Sequence, residues 1–91
     1  MENISQLRKR IDEVDEKILR LLSERVKICK SIGSVKKEHG IPIKDAHRES
    51  KVCAHVRQKA VEFALDPVQV ESIFRQIINM CNSAQELKEK G

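Results

Sequence analysis

Apolar residues recur at steps of three and four along the first third of this chain: Ile4, Leu7, Ile11, Val14, Ile18, Leu21, then Ile28, Ile32 and Val35. Such a heptad beat belongs to a helix with one long buried seam, which Leu22 widens. No proline interrupts the stretch, so it predicts a helix from about Ser5, as N-cap, to about Lys37. At the α-helical rise this helix is on the order of 50 Å long. A compact domain of about 100 residues has a radius of gyration near 13 Å, so the helix overhangs its own fold. A second copy must then cover the seam. The sequence thus predicts an intertwined helical homodimer with a two-fold interface and, from the strict seven-residue repeat, a left-handed supercoil.

One beat is polar. Between Leu21 and Ile28 the apolar position is taken by Arg25. A guanidinium does not neutralise in a protein, so burying one demands an anion or a hydrogen-bonded partner. At 100° per residue Arg25, Cys29, Ile32 and Lys36 share a stripe, which sets two cations about three turns apart on a partly apolar face. Gly33 stands beside that stripe at a cost of roughly 1 kcal/mol against Ala. It either makes room for a close neighbour or is a tolerated glycine near a helix end. Arg8 lies seventeen residues from Arg25 and cannot join it within one chain. Its readings are a solvated arginine between Lys9 and Arg10, which sequence alone favours, or a residue delivered to a second copy.

Residues 38–45 read as a loop, with Gly40 ending the first helix and Pro42 barring its continuation. Asp45 then caps a second helix over about 46–64, with Val52, Val56, Ala60 and Phe63 inward and Cys53 beside them. Arg48 and Glu49 fall in its first turn, Glu49 near the buried face. Leu65-Asp66-Pro67-Val68-Gln69 is a helix start: Asp66 caps, Pro67 takes the first position and Gln69 completes a capping-box pattern. A third helix follows over about 67–87, with Val70, Ile73, Phe74, Ile77, Ile78, Cys81 and Ala84 inward and Gln85 one turn past Cys81. The residues from Lys88 on read as a loose tail. The fold class is all-α: one very long and two medium helices in a single domain over 1–91.

Composition narrows the function. Charged residues make up 35% of the chain and the net charge is +4, which suits an anionic partner, but the charges are interspersed rather than gathered in a tail. With no Trp or Tyr there is no aromatic platform for bases, and no short glycine turn joins two compact helices, so nucleic acid is not the expected partner. No stretch approaches the ~20 apolar residues of a membrane span. The start, MENISQLRKR, lacks a secretory pattern. Cys29, Cys53 and Cys81 are an odd set without metal spacing, so reduced thiols in the cytoplasm are expected, and no metal or cofactor.

The polar residues at or beside buried stripes are Arg25, Lys36, Arg48, Glu49 and Gln85. Each alone reads as a solvated or salt-bridged side chain. Together they describe a small pocket for an anion carrying several oxygens. His39, His47 and His55 have no Ser or Asp partner in a nucleophilic arrangement, and no glycine loop cradles phosphate. An enzyme built this way works by binding and electrostatics.

In order along the chain stand Leu7-Arg8-x-x-Ile11-Asp12-x-x-Asp15, Leu22-x-Glu24-Arg25, Lys36, Pro42-x-x-Asp45-x-x-Arg48-Glu49 and the Ile77-Ile78 to Gln85 run. With these the sequence resembles the all-helical (type II, AroQ-class) chorismate mutases over nearly its whole length. The resemblance implies a dimer of three-helix chains whose first helices cross between protomers. It also implies the rearrangement of chorismate to prephenate, a step toward phenylalanine and tyrosine. That reaction is a unimolecular pericyclic shift without proton transfer or covalent intermediate, which accounts for the missing nucleophile. What is left to the protein is to hold the compact conformer and set donors where charge develops.

By the family's pattern Arg25, with Arg8 from the other chain, grips the two carboxylates of chorismate. Lys36 and Gln85 donate to the ether oxygen, and Glu49 accepts from the ring hydroxyl while Asp45 and Arg48 fix that corner. Cys81 stands where the family has a small hydroxyl residue near a carboxylate. It is a weak thiol donor there or, more simply, a buried structural cysteine. Two other readings stand beside this one: an isochorismate pyruvate lyase on the same fold, and a non-catalytic helical dimerisation module. In 91 residues no fused regulatory or dehydratase segment is expected.

Overall fold

A computed structural model describes residues 3–90, with side chains through residue 86. Three helices follow one another: α1 (Ile4–Glu38), α2 (Ala46–Glu62) and α3 (Pro67–Lys90). The chain extends 57 × 28 × 14 Å, with a radius of gyration of 16.4 Å. A compact chain of this length would have about 12–13 Å, and the overhang of α1 makes the difference.

Helix ends follow local chemistry. The N-cap of α1 is Asn3 rather than Ser5: its side chain accepts from Gln6 N while the Gln6 side chain accepts from Asn3 N, both at 2.9 Å. This capping box satisfies two orphan amides at once, which Ser5 inside the first turn does not do. At the other end Gly40 takes φ +64°, Ile41 N donates to Lys36 O at 2.8 Å and Gly40 N to Lys37 O at 3.3 Å. That is a Schellman ending with glycine in the left-handed position. The same pair of bonds closes α2, Leu65 N to Ala60 O and Ala64 N to Val61 O, with Ala64 at φ 57°. Phe63, expected to be inward, is therefore the C-cap of α2 and exposed. Asp66 Oδ1 accepts from Val68 N at 2.8 Å and from Gln69 N at 3.2 Å to start α3. Its helix continues to Lys90, where a loose tail was expected from Lys88; Gly91 lies outside the described residues.

α3 packs against both other helices. Cys29 meets Cys81, and one turn on Gly33 meets Gln85, so α1 and α3 run in the same direction. α2 runs against α3: Arg57 pairs with Glu71 at 3.1 Å at one end and Glu49 with Asn82 at the other. The core is small: Cys53, Val56 and Ala60 from α2, Ile78, Cys81 and Ala84 from α3, and Cys29 from α1. Ile73, expected to be inward, is exposed, while Val70, Phe74 and Ile77 are half-buried.

The heptad seam of α1 takes no part in this core. Its residues from Ile4 to Val35 keep 43–67% of their surface, because the face of α1 turned to α3 is the neighbouring one of Arg25, Cys29 and Gly33. Gly33 is a close-approach glycine: a Cβ there would lie 3.0 Å from Gln85 Cα, Cβ and Cγ. Backbone cannot yield as a flexible side-chain tip does, so Gly33→Ala must part the helices beside the pocket. The expected result is a loss of about 1–3 kcal/mol in denaturant unfolding together with a lower kcat/KM.

Candidate active site

The cleft between the three helices encloses a cavity of about 310 Å³. That is the lower end of small-ligand sites. α1 contributes Arg25, Cys29 and Lys36, α2 contributes Arg48 and Glu49, and α3 contributes Cys81, Asn82 and Gln85. Ile28, Ile32, Ile43, Val52 and Ile78 supply the apolar remainder. The described residues lining it include no hydroxyl and no imidazole.

Arg25 is half-buried, and its Nη1 lies 2.7 Å from Cys81 Sγ and 3.9 Å from Cys29 Sγ. Burial first, and the like charge of Arg48 second, lower the pKa of its guanidinium from the ordinary value. Two cations near one another in one recess favour a guest with negative charge. Lys36 is placed by the turn that ends its own helix: its carbonyl accepts from Ile41 N, and its Nζ donates to Ile43 O at 2.5 Å. An ammonium has three donors, so two remain for the cavity.

Glu49 lines the same cavity as these cations. Asn82 Nδ2 donates to its Oε2 at 3.3 Å, and Lys44 Nζ lies 3.5 Å from its Oε1 on the solvent side. Asp45 also lines the cavity, but its Oδ1 accepts from Arg48 N at 2.9 Å as the cap of α2, so its work is to aim the first turn. Gln85 is 5% exposed, and its Oε1 is buried without a hydrogen-bond partner. Which amide atom is oxygen is exchangeable, but a buried amide with an unmet bond costs about 1–3 kcal/mol unless a ligand meets it.

The cavity therefore gathers cations, a carboxylate and a buried neutral amide. The family model described as chorismate mutase type II matches residues 7–86. The chain belongs to the type II chorismate mutases. It is 34% identical over 86 residues to a chorismate mutase of Methanocaldococcus jannaschii, covering 94% of this chain and 87% of that one. It is 38% identical over 89 residues to a bifunctional chorismate mutase/prephenate dehydratase of Aquifex aeolicus, of whose length it spans 25%. Among solved structures it is similar to a conserved hypothetical protein from Pyrococcus furiosus, at 35% identity and a TM-score of 0.70, covering 90% of this chain and 93% of that one.

Of the residues expected at a type II chorismate mutase site, Arg25, Lys36, Asp45, Arg48, Glu49, Cys81 and Gln85 line one cavity. Arg8 does not: it is exposed, about 25 Å up the helix from Arg25. Cys81 needs a correction. It was expected as a free thiol, like Cys29 and Cys53, but Cys29 and Cys81 are joined as a disulfide with their Cα atoms 5.5 Å apart. The close approach at Gly33 brings the two helices within bridging range, and Cys81 has no S–H to donate. Only Cys53 is a free, buried thiol. Asn82 was missed, although it sits three residues before Gln85 and so on the same side of α3.

Proposed function

We propose that this chain rearranges chorismate to prephenate, acting as a homodimer in which each site is completed by Arg8 of a second copy. Arg25 and that Arg8 hold the two carboxylates through the planar fork of the guanidinium. Lys36 and Gln85 donate to the ether oxygen, which gathers negative charge as its C–O bond breaks, and so favour the transition state over the ground state. Glu49, kept in place by Asn82, accepts from the ring hydroxyl. Dimerisation covers the exposed seam of α1, and the cytoplasm is the proposed compartment.

The observation that carries this reading is the buried Gln85 amide with its unmet hydrogen bond, in the same cavity as Lys36 and Arg25. A helical dimerisation module has no use for such a group, whereas with the amide turned so that Nε2 takes the unmet position, a bound ether oxygen accepts the missing hydrogen bond. The test is loss of chorismate absorbance with purified protein, with product identified by chromatography. Prephenate is the expected product; pyruvate would indicate a lyase, and no turnover would overturn the enzyme reading.

A neutral amide needs no proton to donate. We expect kcat to stay level from about pH 6 to 8, since Gln85 does not titrate. Gln85→Glu should convert this plateau to a falling limb. A carboxyl donates only while protonated, so activity is retained at low pH and lost as pH rises through the glutamate pKa. A wild-type kcat that drops sharply between about pH 6 and 7.5 would remove Gln85 from the role of donor.

A further inference from the structure

The Cys29–Cys81 disulfide is not remote from the site; both residues line the cavity, and both sulfurs lie against Nη1 of Arg25. It is also the covalent tie between α1 and α3. The other half of the site is held separately, because α2 is fastened to α3 through Arg57–Glu71 and Glu49–Asn82. Opening the bridge therefore acts on one relation: Arg25 and Lys36 on α1 against Glu49 and Gln85 on the α2–α3 hairpin. Cys53, outside this cavity and without a cysteine beside it, has no such leverage.

We infer that Cys29 and Cys81 form a redox-controlled staple in the pocket wall, through which a small thiol–disulfide couple of the glutathione type sets how well the site receives its dianion. Closed, the staple fixes the helix spacing and the sulfur surface against which Arg25 rests; open, it releases both. Closure is a thiol–disulfide exchange. One cysteine thiolate attacks a sulfur of the oxidised couple, forming a mixed disulfide and releasing one small thiolate. The second cysteine thiolate then attacks the protein sulfur of that mixed disulfide and releases the other. Two protein thiols become one disulfide, one small disulfide becomes two small thiols, and the two protons pass to the released thiolates. Entry is through the cavity, so a bound substrate should slow reduction. In a reducing compartment a disulfide of this kind is transient and regulatory rather than structural.

The inference concerns regulation of the site and rests on the function proposed above, and its test separates the two. The full chain is equilibrated in buffers of graded reduced-to-oxidised glutathione, quenched in acid, unfolded and alkylated, and its mass gives the number of free thiols. Chorismate kinetics, far-UV circular dichroism and thermal melting are run on the same samples. The expected result is one alkylated thiol at the oxidising end and three at the reducing end. Helix content should be unchanged at assay temperature, with kcat/KM several-fold lower in the reduced form and a melting midpoint lower by roughly 10 °C or more. Reoxidation should restore both. In the Cys29→Ala, Cys81→Ala double variant, which forms neither the bridge nor a mixed disulfide in the pocket wall, the dependence of kcat/KM on the couple should vanish. Three thiols at every ratio, or equal kcat/KM in the two forms, overturns the staple while leaving the mutase reading intact. Should neither form turn chorismate over, the mutase reading falls, and calorimetric affinity for chorismate decides the staple: a difference between the two forms upholds it, and equality overturns it.

Discussion

Replacing Lys36 by alanine is expected to lower kcat by about 100- to 1,000-fold with little change in KM. The figure is that of one preorganised donor removed from a site of charge development, about 2.7–4 kcal/mol in the barrier. What fits Lys36 to this proposed role is its fixation. One proton is committed to Ile43 O, and the backbone of Lys36 is pinned through Ile41 N, so the ammonium points into the cavity before any ligand arrives. No reorganisation is then needed as the ether bond breaks. A residue that only bound the ground state would show its loss in KM, and an effect confined to KM would contradict the role. Circular dichroism and a thermal melt separate the chemical effect from loosening of the 38–45 loop, which Lys36 also holds. Retained helix content with a depressed kcat is the expected combination.

The same residue shows what the sequence carried and what it did not. Period and punctuation made the three helices legible: the seam of α1, Gly40 and Pro42 after it, and Asp45 and Asp66-Pro67 before α2 and α3 are all local signals. The stripe of Arg25 and Lys36 followed from helical geometry, and so did the nearness of Glu49 to a buried face. Contacts between helices are another matter. Nothing in the order of residues says that α1 and α3 run side by side in one direction, so Cys29 and Cys81, 52 residues apart, read as unrelated thiols. The readings of Gly33 stayed balanced for the same cause, until its facing residue, Gln85, was in place. Asn82 went unnoticed because its significance lies in reaching Glu49 on another helix. Phe63 and Ile73 were placed inward by period alone, but a helix cap and an uncovered face decide exposure here.

Arg8 is the residue about which the single chain says least, and it supports the second large effect. On the proposed assignment Arg8→Ala and Arg25→Ala homodimers should each be nearly inactive, with losses of about 100-fold or more, since each would lack a carboxylate ligand in both sites. If Arg8 serves the site of the other copy, mixing the two variants and allowing subunits to exchange must restore activity. In a mixed dimer one site takes Arg8 from the Arg25→Ala chain and Arg25 from the Arg8→Ala chain, and is intact; the other lacks both. With random exchange half of the dimers are mixed and half of their sites intact, so recovery approaches about a quarter of the wild-type rate. Arginines acting within one chain would give no recovery at any ratio. The interface proposed for the crossing is the seam of α1, where Leu7, Ile11, Val14 and Ile18 are open to solvent in the single chain. Ile11→Glu in that strip should give monomers in sedimentation and abolish the recovery, because desolvating a carboxylate on each face of a two-fold contact costs several kcal/mol. A dimer that survives Ile11→Glu, or a monomer with full activity, would mean that the seam is covered by something other than a second copy.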